Sequence, residues 1–220
     1  DAGSVANAFA VEIKNKAGEV PNNNYAINYL NGNLTVNKKN IKVFTATDRK
    51  EYDGTPLANL NVEIAESTPL VAGHSLICEI SESITDVGTI KNSINSFKVI
   101  EIDAINGKEI DKTNNYTLDV EEGTLTIDKR PLSVGSYDAV KYFDEKPLEN
   151  HENYILESTP LPENHKVEVE IVGSLTYPGT RINNIANVKV YKVIGEESKD
   201  VTYNFDIHKI EGYLKVLGQD

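Results

Sequence analysis

The stretch NYTLDVEEGTLTIDKR, residues 115–130, decides the fold of this chain. Apolar and polar residues alternate on both sides of Gly123. Alternation with a period of two is typical of a strand with one buried face. A Glu-Gly pair between two such runs indicates a turn. The stretch therefore predicts two strands joined at Gly123.

This stretch has two further copies in the chain. Residues 24–39 read NYAINYLNGNLTVNKK, and residues 204–216 read NFDIHKIEGYLKV. The glycines recur as Gly32, Gly123 and Gly212, at spacings of about 91 and 89 residues. Self-similarity at a fixed period indicates an internal repeat of about ninety residues.

Three other blocks recur in the same order. They are YDGTPL (52–57) with YFDEKPL (142–148), aligned on tyrosine with one insertion before Pro-Leu; ESTPL at 66–70 and at 157–161; and DAGSVAN (1–7), DVGTIKN (86–92) and YPGTRIN (177–183). Residues 1–36 hold only the closing blocks. We therefore expect the C-terminal half of a repeat at 1–36, a full repeat at 37–128, and a second, divergent full repeat at 129–220, so that the chain begins mid-repeat. The alternative is that the folded unit starts elsewhere and leaves half a module at the C-terminus.

Each full repeat contains about six or seven short strands, with turn signals every eight to twelve residues. Methionine and tryptophan are absent, and Val, Ile, Thr and Tyr are common, which favours strands. This pattern predicts an all-β protein of tandem immunoglobulin-like β-sandwich modules. The alternative is a β-grasp-like single-sheet module, which requires a helix that the sequence does not indicate. Almost no linker separates the repeats, so we expect a semi-rigid, monomeric rod.

Charge and composition exclude several functions. Lys and Arg number 22 against 34 Asp and Glu, for a net charge of −12, and the basic residues form no stripe that could bind nucleic acid. No apolar run is long enough to span a bilayer, which predicts no membrane insertion in this segment. The single cysteine, Cys78, excludes an internal disulfide.

The motif series YDGTPL (52–57), TDVGT (85–89), GKEI (107–110), NYTL (115–118) and GTLTI (123–127) resembles the tandem MBG repeats of large Gram-positive surface proteins. The resemblance covers the whole chain and is weaker over 129–220. It implies an extracellular protein of the cell wall or cell surface, in which such modules are stalk or adhesive units. It brings no catalytic residues.

No catalytic, cofactor-binding or metal-binding residue is predicted. Cys78 matches Val169 in the next repeat, so we interpret it as a small buried hydrophobe. The four histidines lack metal-ligand spacing. His74 and His165 occupy matching positions, and we expect loop side chains that are satisfied by solvent or backbone.

Two alternatives with chemical content stay open. Calcium could bind acidic residues near turns, namely Glu101 and Asp103 before Asn106-Gly107, and Asp111 with Asp119, although no twelve-residue EF-type loop is present. An internal Lys–Asn or Lys–Asp isopeptide bond could take the place of disulfides as a covalent link, and an intact mass equal to that of the unmodified sequence would contradict it.

The aromatic residues are expected to fill core positions, so no sugar-stacking platform is predicted. At the recurring Asn-Tyr or Asn-Phe, the aromatic should fill the core at a strand start. The recurring glycine should permit the turn between the last two strands.

Three functional hypotheses follow. The first is a non-catalytic stalk, spacer or adhesive segment. The second is a module that binds host glycoprotein or polysaccharide through loops or a strand edge. The third is an accessory module of a secreted carbohydrate-active enzyme.

Overall fold

The computed structural model describes residues 1–19 and 25–218. Asn24, which opens the N-terminal copy, and residues 219–220 at the end of the second full repeat lie outside the described residues. Within the described part the chain forms strands and two single 3-10 turns, at Thr113–Asn115 and Thr202–Asn204, and no α-helix. The all-β prediction is confirmed. The helix that a β-grasp module needs does not occur in these residues.

The strands of the half repeat and the first full repeat are short. They are β1 (Gly3–Asn7), β2 (Gly32–Val36), β3 (Lys39–Thr45), β4 (Asp48–Glu51), β5 (Val62–Ile64), β6 (His74–Glu79), β7 (Gly88–Asn92), β8 (Ser96–Ile102), β9 (Glu109–Asp111), β10 (Tyr116–Glu121) and β11 (Gly123–Asp128).

The second full repeat gives the same series. Its strands are β12 (Arg130–Ser136), β13 (Ala139–Tyr142), β14 (Asn153–Ile155), β15 (His165–Ile171), β16 (Gly179–Ile182), β17 (Ile185–Ile194), β18 (Glu197–Asp200), β19 (Phe205–Ile210) and β20 (Tyr213–Leu217).

Each full repeat folds into three small sheets, which we name by their central strands. In the first they are the β3 sheet (β10-β3-β5), the β11 sheet (β4-β11-β7) and the β8 sheet (β6-β8-β9). In the second they are the β12 sheet (β14-β12-β19), the β20 sheet (β13-β20-β16) and the β17 sheet (β15-β17-β18). β1 and β2 form a two-stranded sheet, the N-terminal hairpin.

Opening and closing strands of a repeat pair in parallel. β10 lies beside β3, and β11 lies beside β4, with Leu125 opposite Asp48. The second repeat has the same parallel pairs, β19 with β12 and β20 with β13. The remaining pairs are antiparallel. The two closing strands of each repeat thus lie in different sheets, and each is paired with one of the strands that open the repeat.

Sheets pack in pairs across apolar cores. Ile41 of β3 and Tyr116 of β10 are buried against Val99 of β8. In the second repeat, Leu132 and Val134 of β12 are part of one core together with residues of β17. Within the stretch 115–130, Tyr116, Leu125 and Ile127 are buried, as the alternation there predicts, because a strand directs successive side chains to opposite faces.

The compact units of the structure do not coincide with the sequence repeats. One unit comprises Asp1–Thr45, Asn61–Ile80 and Ile94–Glu121, and the other comprises Ala46–Leu60, Ser81–Ser93 and Glu122–Asp220. The second unit therefore combines the β11 sheet of one repeat with the whole of the next. The boundaries at 1–36, 37–128 and 129–220 divide the sequence, and as domain boundaries they stay a prediction.

The predicted alignment of YFDEKPL on Tyr142, with an insertion, is wrong. Tyr52 N donates to Asp128 O, and the counterpart of Asp128 at the end of the parallel pair, Leu217, accepts from Phe143 N at the same 2.9 Å. Phe143 is thus the counterpart of Tyr52, and no insertion is present. Tyr142 lies one residue earlier and has the same residue type as Tyr52, so the sequence alone favours the wrong aromatic as the counterpart.

The recurring glycines do not have the positive φ that a glycine turn requires. Among the positive-φ glycines of the described residues, Gly32, Gly123 and Gly212 do not occur. A Cβ on Gly212 would lie 2.7 Å from Ser136 O. Close approach of two backbones, rather than the turn, explains the glycine there.

Candidate functional site

One strand–turn segment of each full repeat carries a lysine-clamped turn. We define the segment as residues 46–60 in the first repeat and 137–151 in the second. Lys50 Nζ donates to Asp53 Oδ1 at 2.8 Å and to Thr55 O at 2.9 Å. Lys141 makes the same bonds to Asp144 Oδ1, at 2.6 Å, and to Lys146 O, at 2.7 Å. The turn is therefore shaped by one ammonium group that satisfies several acceptors.

The first strand–turn segment enters the core of the following repeat. Tyr52 is 1% exposed, and its ring meets Phe205 edge-on at 5.4 Å between centroids. Its hydroxyl lies 3.1 Å from His165 Nε2. Tyr52 and Leu57 share one buried cluster with Leu132 and Val134. The two repeats meet through a common core.

Polar bonds complete this repeat junction. Asn204 Nδ2 donates to Asp86 Oδ1 at 2.9 Å, and Val87 N donates to Asn204 Oδ1 at 2.8 Å. Lys192 Nζ donates to Gly54 O at 2.5 Å. Since Asn204 is fully buried, each of its partners compensates a polar group that burial would otherwise penalise.

The pKa values of Tyr52 and Asp53 at the junction differ from the ordinary values of these groups. Burial, with a smaller contribution from Asp86, raises the pKa of Tyr52 to about 12. Burial alone would raise the pKa of Asp53, but hydrogen bonds from Lys50 and Thr55 outweigh it and lower that pKa to about 2. The junction thus stabilises a neutral tyrosine and an ionised aspartate.

The second repeat carries different side chains at the same positions. Phe143 and Tyr177, the counterparts of Tyr52 and Asp86, form a stacked pair at 6.1 Å and 26° between rings. Tyr177 is 72% exposed, and Tyr142 beside the pair is also exposed. The expectation that aromatics are mostly in the core is therefore wrong. We name Phe143 and Tyr177 the aromatic pair, a candidate binding surface.

The predicted core aromatics have mixed outcomes. Tyr116 and Phe205 are buried at strand starts, as predicted, whereas Tyr25 is exposed. Tyr25 belongs to the half repeat at 1–36.

The two matching histidines contact tyrosines. His74 Nδ1 lies 2.5 Å from Tyr116 Oη, and His165 bonds Tyr52 Oη through Nε2 and Glu163 O, at 2.7 Å, through Nδ1. The expectation of solvent or backbone partners alone is thus wrong for both. Because Phe205 replaces Tyr116 in the second repeat, His165 takes its hydroxyl partner from the preceding repeat.

The other singled-out residues are not brought together into a site. Cys78 is half-buried, and burial raises the pKa of its thiol, as suits a small apolar side chain. His151 Nδ1 lies 3.0 Å from Ile171 O, and His208 is exposed. Asp111 accepts from Thr113 N, which shapes a turn.

The acidic residues considered for calcium do not cluster. Within residues 1–19 and 25–218, no three His, Cys, Asp or Glu side chains lie close enough to hold a metal ion. The calcium and isopeptide alternatives stay predictions. No helix in the described part of the chain is long and apolar enough to cross a membrane.

Comparison with known proteins does not assign this chain to a family. No family model matches it, and no curated protein matches it in sequence. The fold defines its class, an all-β protein. The resemblance to MBG repeats stays a prediction that rests on the quoted motifs.

Proposed function

We propose that this chain is a non-catalytic, extracellular repeat segment of a bacterial cell-surface protein, which acts as stalk, spacer or adhesive part. The repeat junction is the observation that carries the proposal. A spacer must keep adjacent repeats in a fixed arrangement. A turn of one repeat that is buried in the core of the next limits independent movement of the two repeats.

Charge and motifs also support this function. A surface with a net charge of −12 is soluble and repels other copies. The motif series between residues 52 and 127 resembles MBG repeats of Gram-positive cell-wall proteins. Both features are typical of a protein that extends from a cell surface.

The location of the protein on the cell tests the proposal. Antibodies against the purified chain should label unpermeabilised cells of the organism that carries the gene, and brief protease treatment of intact cells should remove the label. Labelling only after permeabilisation would contradict an extracellular function.

The aromatic pair favours a second candidate, a glycan- or host-glycoprotein-binding module, alone or attached to a secreted carbohydrate-active enzyme. At the matching positions of the first repeat, Asp86 bonds Asn204 and Lys199. Tyr177 replaces that carboxylate with an exposed ring, which offers an apolar face to a sugar or an aromatic side chain instead of a hydrogen-bond acceptor.

Glycan arrays and immobilised mucin distinguish the two candidates. The binding module predicts saturable binding that Tyr177→Ala abolishes and that Tyr203→Ala, at an exposed tyrosine outside the pair, leaves unchanged. The absence of saturable binding would exclude the module for the glycans tested and leave the spacer. Binding that survives Tyr177→Ala would exclude the aromatic pair as its site.

A further inference from the structure

We infer that the N-terminal hairpin is a receptor for a partner segment that has the strand–turn pattern of residues 46–60. The receptor surface is formed by the unpaired edge of β2, the apolar face of the hairpin, and Asn7, and it is independent of the proposed function.

The first observation is an incomplete sheet. Within the described residues, β2 pairs only with β1, whereas its counterparts β11 and β20 each pair with two strands. The additional partner is in both cases the parallel strand of a strand–turn segment, β4 or β13. An exposed edge of unpaired backbone groups is a template for an added strand.

The second observation is an uncovered apolar face. Leu34 and Val36 of β2 are 56% and 59% exposed. Their counterparts in β11 are 0% and 1% exposed, and those in β20 are 0% and 2% exposed (Leu125 and Ile127; Leu214 and Val216). Covering these two side chains would remove apolar surface from water, which favours docking.

The third observation is Asn7 of the hairpin, the counterpart of Asn92 and Asn183 in the two full repeats. Asn92 Nδ2 donates to Ala46 O at 3.0 Å and to Asn59 O at 2.8 Å, and so holds both ends of the segment. Asn183 makes the equivalent bonds to Tyr137 O and Asn150 O, at 3.0 and 2.9 Å. Asn7, their counterpart in β1, is exposed.

The space that the segment would fill is open. Gly212 lies against the start of its segment, with Ser136 O 2.7 Å from a Cβ position, whereas the same position on Gly32 meets nothing within 4 Å. Gly32 therefore leaves room for the close backbone approach that Gly212 makes.

A cavity lies where the tyrosine of the segment would dock. The hairpin meets Asn115 as the first repeat meets Asn204, because Asn115 Nδ2 donates to Asp1 Oδ1 at 2.9 Å and Ala2 N donates to Asn115 Oδ1 at 2.6 Å. Beside these bonds is a cavity of about 300 Å³, lined by His74 and Tyr116 among others. In the following repeat, the corresponding His165 and Phe205 hold Tyr52.

The experiment adds a second copy of the segment to the full chain. Residues 46–60 are added ahead of residue 1 through a flexible linker of about 25 residues, long enough to reach the edge of β2. Amide hydrogen exchange is then measured across β2. We expect exchange of the β2 amides to slow at least about tenfold, because they would become donors in a new ladder.

Matched variants decide the outcome. The protection should be lost when the added copy carries Tyr52→Ala and Leu57→Ala. It should also fall with Asn7→Ala in the hairpin, and it should not change with Asn33→Ala, at an exposed position of β2. Equal exchange in the fusion and its double-alanine control would overturn the inference. Concentration-dependent dimers that protect β2 in the unmodified chain would also overturn it, in favour of a second copy.

Discussion

At the residue scale, a single asparagine, the last residue of β7 or the residue after β16, fixes the strand–turn segment of its repeat. Its carboxamide donates to carbonyls at the two ends of that segment, and it is fully buried in both full repeats. Loss of a buried donor leaves two carbonyls without that partner, and each unsatisfied group costs about 1–3 kcal/mol.

Asn92→Ala should therefore lower the free energy of unfolding by about 2–4 kcal/mol, because two buried hydrogen bonds are lost. Urea unfolding followed by circular dichroism measures it. Asn7→Ala is the matched control, and it should change stability by less than about 0.5 kcal/mol, since Asn7 is exposed. Equal effects of the two substitutions would contradict this role of the asparagine.

A second prediction at this scale concerns pH. Burial raises the pKa of Tyr52 to about 12, above its ordinary value of 10.0. The folded chain therefore keeps a proton that the unfolded chain loses, so this contribution is complete below pH 10 and disappears as the pH rises through 12. Between pH 9 and pH 12 the loss should be about 2 kcal/mol.

Urea midpoints of the wild type and of Tyr52→Phe, measured across this pH range, isolate the tyrosine. The wild type should lose stability more steeply than Tyr52→Phe, which has no phenol to ionise at this position. Parallel curves would show that the buried phenol does not control alkaline stability.

At the element scale, the two strand–turn segments form the same turn with different residues. Gly54 has φ +79°, and its counterpart Glu145 has φ +64°, in the region that side chains other than glycine rarely adopt. The second repeat therefore accepts strain at a turn where the first repeat has glycine.

Glu145→Gly should raise the free energy of unfolding by about 1 kcal/mol, because it removes the Cβ from a left-handed backbone. Gly54→Ala should lower it, since φ is positive there and a Cβ would lie 2.7 Å from His165 Cε1. Differential scanning calorimetry of both variants should show melting temperatures that move in opposite directions.

Strand content was predictable at this scale because alternation depends on local residue type alone, as residues 115–130 illustrate. The register of the second turn was not. Tyr142 preserves the aromatic type, and only the bond from Phe143 N to Leu217 O shows which aromatic matches Tyr52. The pairing of distant strands in parallel leaves no local signal in the sequence.

At the scale of the whole molecule, the repeats seen in the sequence and the cores seen in the structure are out of phase. Sequence periodicity identifies a unit at 37–128, whereas Tyr52 and Leu57 of that unit belong to the core of residues 129–220. Sequence periodicity does not show in which repeat a core residue packs. Residues that pack within their own repeat and residues that pack against the next repeat recur with the same period.

The central claim is that adjacent repeats share one core at Tyr52. Native-state amide exchange of the Tyr52→Ala chain, compared with Tyr142→Ala at an exposed tyrosine, tests it most directly. Truncation of the buried ring should cost about 3–5 kcal/mol, and protection should fall in β12 and β17 of the following repeat as well as in β4 and β11. Loss of protection confined to β4 and β11, with β12 and β17 unchanged, would contradict a shared core.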